Sequence, residues 1–523
     1  MLDPGRPMPN PLPKGTKVLM LGWEFPPFIT GGLGTACHGL TKALNEDGVE
    51  VLFVLPKAID PSHASHVKIV APGAIGKKAA APKPERVRMV FDPVTGVPEP
   101  IDSFLERRVL GRPLAAAAGP DGTVAATTFL PIEGDYPSAY ASGAGGDPVP
   151  LTAPTRAILE RIREEGGITV ERLKVLAAAG AFGGRALGEV EAAILAALPE
   201  SNGKAAAPES LMPDYDGDLV SASHRYAQFA AEACRGLDFD VIHAHDWLTY
   251  PAGIALQRLT GKPLVVHVHS TEFDRSGEHP NQGVYNIERR GMWAADRIIA
   301  VSLLTKNVCV NRYGVPADKV DVVYNGVDLA PGKIGIQPIH TRDKIVLYFG
   351  RITMQKGPEY FVQAAKRVLE VRDDVKFVVA GSGDQAARMI QMAADLGIGD
   401  RMLFTGFLRG KDISRVFAMA DLYVMPSVSE PFGIAPLEAM GHNVPVLISK
   451  SSGVSEILSH ALKVDFWDIE DMADKILAVL RHSPLARALR EGGAFEVRGI
   501  SWTGAARKCE RTYRAAIGQR SRR

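Results

Sequence analysis

The 523-residue chain has only four cysteines, Cys37, Cys234, Cys309 and Cys509, far apart and without CxxC spacing. That excludes a disulfide-stapled small domain and a thiolate zinc site. The four read as reduced thiols, mostly core residues, in a cytoplasmic setting. Charge of one sign is also lacking: 60 Lys and Arg stand against 59 Asp and Glu, a net of +1. No global field therefore draws the chain to nucleic acid or to an anionic membrane. The tail Arg520-Ser-Arg-Arg523 is basic but short. No uninterrupted apolar run approaches the ~18 residues that span a bilayer. The first residues, Met1 to Pro11, lack a basic n-region and an apolar h-region, so neither export nor a membrane anchor is expected.

What is present is an ordinary globular composition, 46% hydrophobic and 23% charged. At roughly 150 residues per domain the length fits about three units, for which two large domains and an insertion suffice. The chain opens with a strand, Thr16 to Gly22, a loop carrying Gly31, Gly32 and Gly34, and a helix from about Ala36 to Asn45. Strand, glycine-rich turn and helix begin a parallel α/β sheet, and the glycines permit close backbone approach to a ligand. The loop is not GxGxxG, so it is not read as a dinucleotide site. From about 71 to 220 the alternation breaks into Ala/Gly/Pro-rich stretches, then three helix candidates at 155–165, 170–179 and 188–198. This segment reads as an insertion, structural or acceptor-binding, with both sheets complete without it. Its Leu176-to-Arg185 stretch faintly resembles a helix-hairpin-helix, a weak sign of nucleic-acid binding.

Regular order then resumes with strands at 241–245, 264–269 and 297–301 and helices at 250–259, 284–294 and 303–313, up to Tyr324-Asn-Gly-Val-Asp328. A second α/β unit follows, with strands starting near Ile345, Lys376, Met402, Leu422 and Pro445. The expected division is 1–330, 331–505 and a C-terminal helix with a basic tail, 506–523, that returns to the first domain.

Two constellations carry the chemistry. After the strand Ile345–Phe349 come Gly350-Arg351-Ile-Thr-Met-Gln-Lys356-Gly357 and a helix from Pro358 to Val371. Arg351 offers a planar fork and Lys356 a point charge at a strand's carboxyl end, both suited to phosphate oxygens. After the strand Asp421–Pro426 comes Ser427-Val-Ser-Glu430-Pro-Phe432-Gly433-Ile434-Ala-Pro-Leu-Glu438. Pro436 fits only the first turn of a helix, so Glu430 lies in the preceding loop, Gly433 allows close approach, and the helix start suits a diphosphate. Glu438, a turn in, is placed to accept hydrogen bonds from a diol.

At these residues the chain resembles the retaining nucleotide-sugar glycosyltransferases of the GT-B fold, family four in particular, whose pattern is Glu-x7-Glu preceded by Gly-Arg-x4-Lys-Gly. The resemblance implies two Rossmann-like, doubly wound parallel-sheet domains around a deep cleft. It implies that Arg351 and Lys356 bind the donor pyrophosphate, that Glu430 contacts the hexose, that Glu438 binds the ribose, and that the amides of Phe432, Gly433 and Ile434 complete the cradle. Tyr324 to Asp328 resembles the family-four domain junction, and Ser452-Gly-Val-Ser-Glu456 also fits family four. The Gly31-Gly32-Leu-Gly34 loop is similar to that of glycogen and starch synthases, with Ile29 where they carry lysine. The implied activity is hexosyl transfer, glucosyl favoured, from UDP- or ADP-glucose to a glucan or another hydroxyl acceptor, with no essential metal.

The pairs His243/His245 and His267/His269 each share a strand face. They admit a rival reading, a zinc hydrolase recruiting Asp240 or Asp246; a third is an inactive sugar-binding module. His269, at a strand end before Ser270-Thr-Glu272, corresponds by resemblance to the histidine that contacts the donor hexose, and is taken with Glu430, Arg351 and Lys356 as catalytic. His245-Asp246-Trp247 resembles the His-Asp-Trp segment of glycogen synthases, whose next histidine is Leu248 here.

Overall fold

The computed structural model describes residue 12, residues 15–25, 32–56, 219–329 and 343–522, and the backbone of short strands at 68–69, 89–91, 98–100 and 127–131. The first sheet contains β1 (Lys17–Leu21), β2 (Glu50–Leu55), β3 (Lys68–Ile69), β6 (Thr127–Pro131), β7 (Val241–His245), β8 (Leu264–Val268), β9 (Arg297–Ala300) and β10 (Val320–Val322). Their order is β10-β9-β8-β7-β1-β2-β6-β3, and every pairing is parallel. A separate antiparallel pair joins β4 (Met89–Phe91) and β5 (Pro98–Pro100). The second sheet, β11 (Lys344–Phe349), β12 (Val375–Ala380), β13 (Met402–Gly406), β14 (Leu422–Met425), β15 (Val446–Ser449) and β16 (Leu462–Val464), is also fully parallel in the order β13-β12-β11-β14-β15-β16. The sequence reading did not anticipate β16.

Helices cover both faces of each sheet, which is why central strands such as β7 and β8 are buried along their whole length, their apolar residues interrupted only by His243, His245 and His267. Cys37, Cys234, Cys309 and Cys509 are all buried and free, as expected of small core hydrophobes. In each sheet the strand order reverses at a central pair, β7 and β1 in the first and β11 and β14 in the second, and the first sheet changes order again at its edge, where β6 lies between β2 and β3. A crevice opens at the carboxyl ends of the strands flanking such a reversal.

Two expectations need correction. Helix α1 spans Gly32–Glu46, so Gly32 and Gly34 belong to its first turn rather than to the preceding loop. Gly31 lies outside the described residues. The segment 71–220 is not external to the sheet: β6 pairs with β2 over five residues and is the strand through which β3 joins. The three helix candidates between 155 and 198 lie outside the described residues, as does the helix-hairpin-helix-like stretch.

The C-terminal helix, Trp502–Arg520, packs against α1 and beside β7, β8 and β9. Trp502, Cys509 and Tyr513 are buried in one cluster with Val18, Phe53 and Val241 of the first sheet. Contact is close: a methyl at Gly39 would lie 2.2 Å from the Trp502 indole, and one at Gly326 would lie 2.2 Å from the Trp502 nitrogen. The junction around Gly326 is thus pinned beneath the start of this helix.

Candidate active site

The two reversals face one cavity of about 590 Å³. Its second-domain wall grows from β11 and β14, neighbours through Val346 and Leu347. After β11 the chain runs through Arg351 to a short turn, Met354–Lys356, and into helix α2 (Pro358–Leu369). Gly357 caps that helix at φ 61°, and a Cβ there would lie 2.2 Å from the Pro426 carbonyl. This close fit of the two loops puts Lys356 beside the loop that follows β14. Its Nζ donates to Glu430 Oε2 at 2.5 Å, and the Ser427 hydroxyl reaches the same oxygen at 3.3 Å. Among the described residues no donor engages Glu430 Oε1.

The Glu430 main chain is locked by Glu430 N to Ser451 O (3.0 Å) and Gly453 N to Glu430 O (2.9 Å). Gly433 then turns the chain at φ 102°, a region that side chains strain to occupy. Helix α3 (Ala435–Gly441) has only seven residues, so the expected helix field is small and the anion-binding capacity rests on individual amides. The N–H groups of Phe432, Gly433 and Ile434 have no acceptor among the described residues. Glu438 lines the same cavity, and burial pushes its carboxyl up to about 7, a direction that favours the protonated acid until a ligand rewards the charge.

The first-domain wall comes from the start of α1, where Gly32, Leu33 and Thr35 line the cavity, and from the ends of β7 and β8. Asp246, directly after β7, sits at φ 56°; its Oδ1 accepts from His269 N at 2.7 Å and Ser270 N at 3.3 Å. Burial lifts Asp246 to about 7, opposed by those two hydrogen bonds. The chain turn after β8 is therefore held by a strained carboxylate from the neighbouring strand. That clamp was not foreseen from the sequence; the only sign of it was the adjacency of Asp246 to a strand end. Across the cleft, Ser429 donates to Asp274 Oδ1 at 2.6 Å. Glu456 caps helix α4 (Leu303–Tyr313) by accepting from Leu303 N (2.9 Å) and Leu304 N (2.7 Å), and takes the Tyr324 hydroxyl at 2.9 Å.

His243, His245, His267 and His269 form a stacked array. His243 Nε2 meets His267 Nδ1 at 3.2 Å, His245 Nδ1 meets His269 Nε2 at 2.9 Å, and His243 Nδ1 meets the Tyr513 hydroxyl at 2.7 Å. Burial drives His243 and His269 down to about 3 and the other two well below the usual imidazole range, so all four are neutral. His243, His245 and His267 bring ring nitrogens within 4.8 Å of one another, the set a zinc hydrolase would need. The rings, however, lie 15–30° from parallel. Each ring already spends a nitrogen on a neighbour, His243 on both His267 and Tyr513 and His245 on His269, and Asp246 is already committed to backbone amides. The array is a hydrogen-bonded core in which His245 Nε2 and His267 Nε2 are left without partners among the described residues.

Of the expected site residues, Gly32, His269, Arg351, Lys356, Glu430, Phe432, Gly433, Ile434 and Glu438 all line the one cavity. Gly34 is buried in α1.

Two parallel sheets with facing switch-point crevices, and a Lys–Glu pair on the second-domain wall of the cavity they share, define the scaffold of a GT-B glycosyltransferase. The profile of "Glycosyl transferases group 1" matches residues 333–494, that of "Glycosyltransferase Family 4" residues 203–331 and that of the "Starch synthase catalytic domain" residues 17–91. A D-inositol 3-phosphate glycosyltransferase of Arthrobacter sp. (strain FB24) is 30% identical over 334 residues, 60% of this chain and 78% of that one. An uncharacterized glycosyltransferase of Methanocaldococcus jannaschii is 35% identical over 256 residues, 45% of this chain and 65% of its own length, a little under two thirds. In fold alone, the chain resembles the sucrose-phosphate synthase of Thermosynechococcus elongatus (TM-score 0.54, 16% identity, 96% of this chain and 100% of that one). It also resembles the N-terminal domain of trehalose-6-phosphate phosphatase from Candida albicans (TM-score 0.57, 13% identity, 98% of each). The chain belongs to the group 1 glycosyltransferases. No described helix is long and apolar enough to cross a membrane.

Proposed function

We propose that this enzyme moves a hexose, glucosyl favoured, from a nucleoside diphosphate sugar to an acceptor hydroxyl with retention at C1. The observation that carries the reading is the Lys356–Glu430 pair at 2.5 Å, beside Arg351 and the uncommitted amides of Phe432, Gly433 and Ile434 on the same cavity wall. A departing diphosphate develops charge that two cations and fixed amides stabilise without reorganising, the kind of contribution that usually dominates such catalysis. Glu430, its charge balanced by Lys356, faces the sugar with its remaining oxygen and supports a cationic transition state. Glu438 accepts from the ribose hydroxyls. Water is kept out by the opposing wall, joined through Ser429–Asp274 and the Glu456 cap, which protects a sugar cation from hydrolysis.

UDP- and ADP-glucose are the favoured donors. Two acceptor readings have support: the match of residues 17–91 to a starch synthase domain favours a glucan, whereas relatives named D-inositol 3-phosphate glycosyltransferase favour a small phosphorylated polyol. A thermal-shift panel of nucleoside diphosphate sugars tests the donor, since a ligand at 100 times its Kd adds roughly 2.7 kcal/mol of stability. Product formation with glucan and with inositol phosphate then separates the acceptors. If no nucleoside diphosphate sugar stabilises the protein, the reading fails.

A further inference from the structure

We propose that His245 is a positioning residue that fixes the tautomer of His269, so that His269 meets the bound donor as a neutral Nδ1–H hydrogen-bond donor and not as a base. The role in catalysis rests on the transferase reading above; the tautomer does not.

One proton lies between His245 Nδ1 and His269 Nε2, 2.9 Å apart. Suppose it belongs to His269. His245, being neutral, must then carry its own proton on Nε2, a buried atom with no partner among the described residues. That leaves a buried N–H desolvated with no hydrogen bond to offset the loss. Suppose instead the proton sits on His245 Nδ1. The orphan on His245 is then a bare lone pair, His269 Nε2 is the acceptor, and neutral His269 must carry its proton on Nδ1.

The neighbouring pair follows the same rule. His267 Nε2 is likewise buried and unpartnered, so His267 donates through Nδ1 to His243 Nε2 and His243 donates through Nδ1 to the Tyr513 oxygen. Both orphan nitrogens become lone pairs, and no N–H in the array is stranded. The same set leaves the Tyr513 hydroxyl hydrogen without an acceptor among the described residues, so the assignment of His269 rests on the first row.

The ring that results is held on two sides by consecutive residues. His245 fixes the imidazole edge, and Asp246 fixes the main chain through His269 N at 2.7 Å. Nothing among the described residues accepts from His269 Nδ1, and His269 lines the cavity. The ligand group it fits is therefore an oxygen that can accept, such as a sugar hydroxyl or a phosphoryl oxygen. His269 in this form has no lone pair to offer the acceptor's proton, which separates it from a general base.

Long-range ¹H–¹⁵N spectra of the full-length protein labelled on its thirteen histidines test this without substrate, with His269 identified by the resonances lost in His269→Gln. The expected pattern is a pyrrole-type Nδ1 and a pyridine-type Nε2 at pH 7; an Nε2–H tautomer or a doubly protonated ring overturns the proposal. His245→Leu is expected to convert His269 to a mixed population and to lower kcat on the order of tenfold at little-changed donor KM, the scale of one lost orienting hydrogen bond. His245→Asn, whose side-chain amide can donate from near the Nδ1 position, is expected to recover most of that loss. Equal loss in both variants with an unaltered His269 spectrum would make His245 merely structural. A failed donor panel would sink the transferase reading yet leave the spectral result standing.

Discussion

Lys356 and Glu430, 74 positions apart, meet at 2.5 Å where the loops after β11 and β14 converge. In the ligand-free protein each neutralises the other, and a diphosphate entering the cavity competes with Glu430 for the ammonium. Under the transferase function proposed above, donor binding would then free the carboxylate toward the sugar.

Glu430→Gln should reduce transfer by at least ~10²-fold while nucleoside diphosphate binding is kept or tightened, because Lys356 loses its internal competitor. Calorimetry with the nucleoside diphosphate beside steady-state rates checks this. Weakened binding would place Glu430 with the phosphates.

Arg351→Ala combined with Lys356→Ala should cost at least ~10²-fold in rate. Lys356→Ala alone should also destabilise the protein, by up to about 3 kcal/mol, since it strands a carboxylate that is only 7% exposed. Lys356→Ala with Glu430→Gln should regain most of that stability in urea unfolding but none of the activity.

Glu438 gives a pH dependence with a definite sign. Its folded carboxyl titrates near 7 because of burial, above the ordinary range, so its contribution to stability is complete in acid and is lost as pH rises through about 7. Donor affinity should run the opposite way, improving from pH 6 to pH 8 as the ionised form strengthens its bonds to the ribose. Glu438→Gln should flatten that trend and raise donor KM while making the free protein more resistant to unfolding at pH 8; an unchanged KM and pH profile would make Glu438 structural.

Exhaustive chelation should leave nucleoside diphosphate release intact, since Arg351, Lys356 and backbone amides supply the positive charge. Stoichiometric zinc in the purified protein, with activity that vanishes on its removal, would reverse this and revive a metal-dependent hydrolase.

Excision of residues 72–219 behind a short Gly-Ser bridge would remove β6 and expose the outer edge of β2. The expected product is insoluble, because a long unpaired edge recruits other chains. A monodisperse peak on size exclusion would show that the sheet tolerates the loss.

How much was legible follows from how local each signal is. Ile345–Phe349 announced itself because strands buried on both faces are apolar throughout, and Val241–His245 was legible although two of its five residues are histidines. β16, Leu462-Lys463-Val464, is three residues at an edge with a lysine at its centre, and β6 lies in a segment dominated by Ala, Gly and Pro. Arg351, Lys356 and Glu430 were legible as short motifs after strands. Their mutual contact was not, nor was the grip of Asp246 on His269 N, because both arise from which strands lie side by side. The glycines at the start of α1 looked like loop because propensity opposes glycine in a helix; tertiary packing of Leu33, Ala36 and Cys37 overrides it.

The helix Trp502–Arg520 has a consequence for the order of synthesis. Emerging from the ribosome, the first sheet has strands β1 to β10 in hand by Val322, with the whole second domain still to come before the helix that starts at Trp502 and completes the cover of one of its faces. Val18, Phe53 and Val241 must wait, with only α1 over their side of the sheet, while the whole second domain is translated. Domains usually fold as units in the order they are made; here the earlier domain is sealed last. Trimming the chain before Trp502 should therefore unfold the part of the protein farthest from the cut in sequence, and a growing chain stalled at residue 500 should be the species most in need of a chaperone.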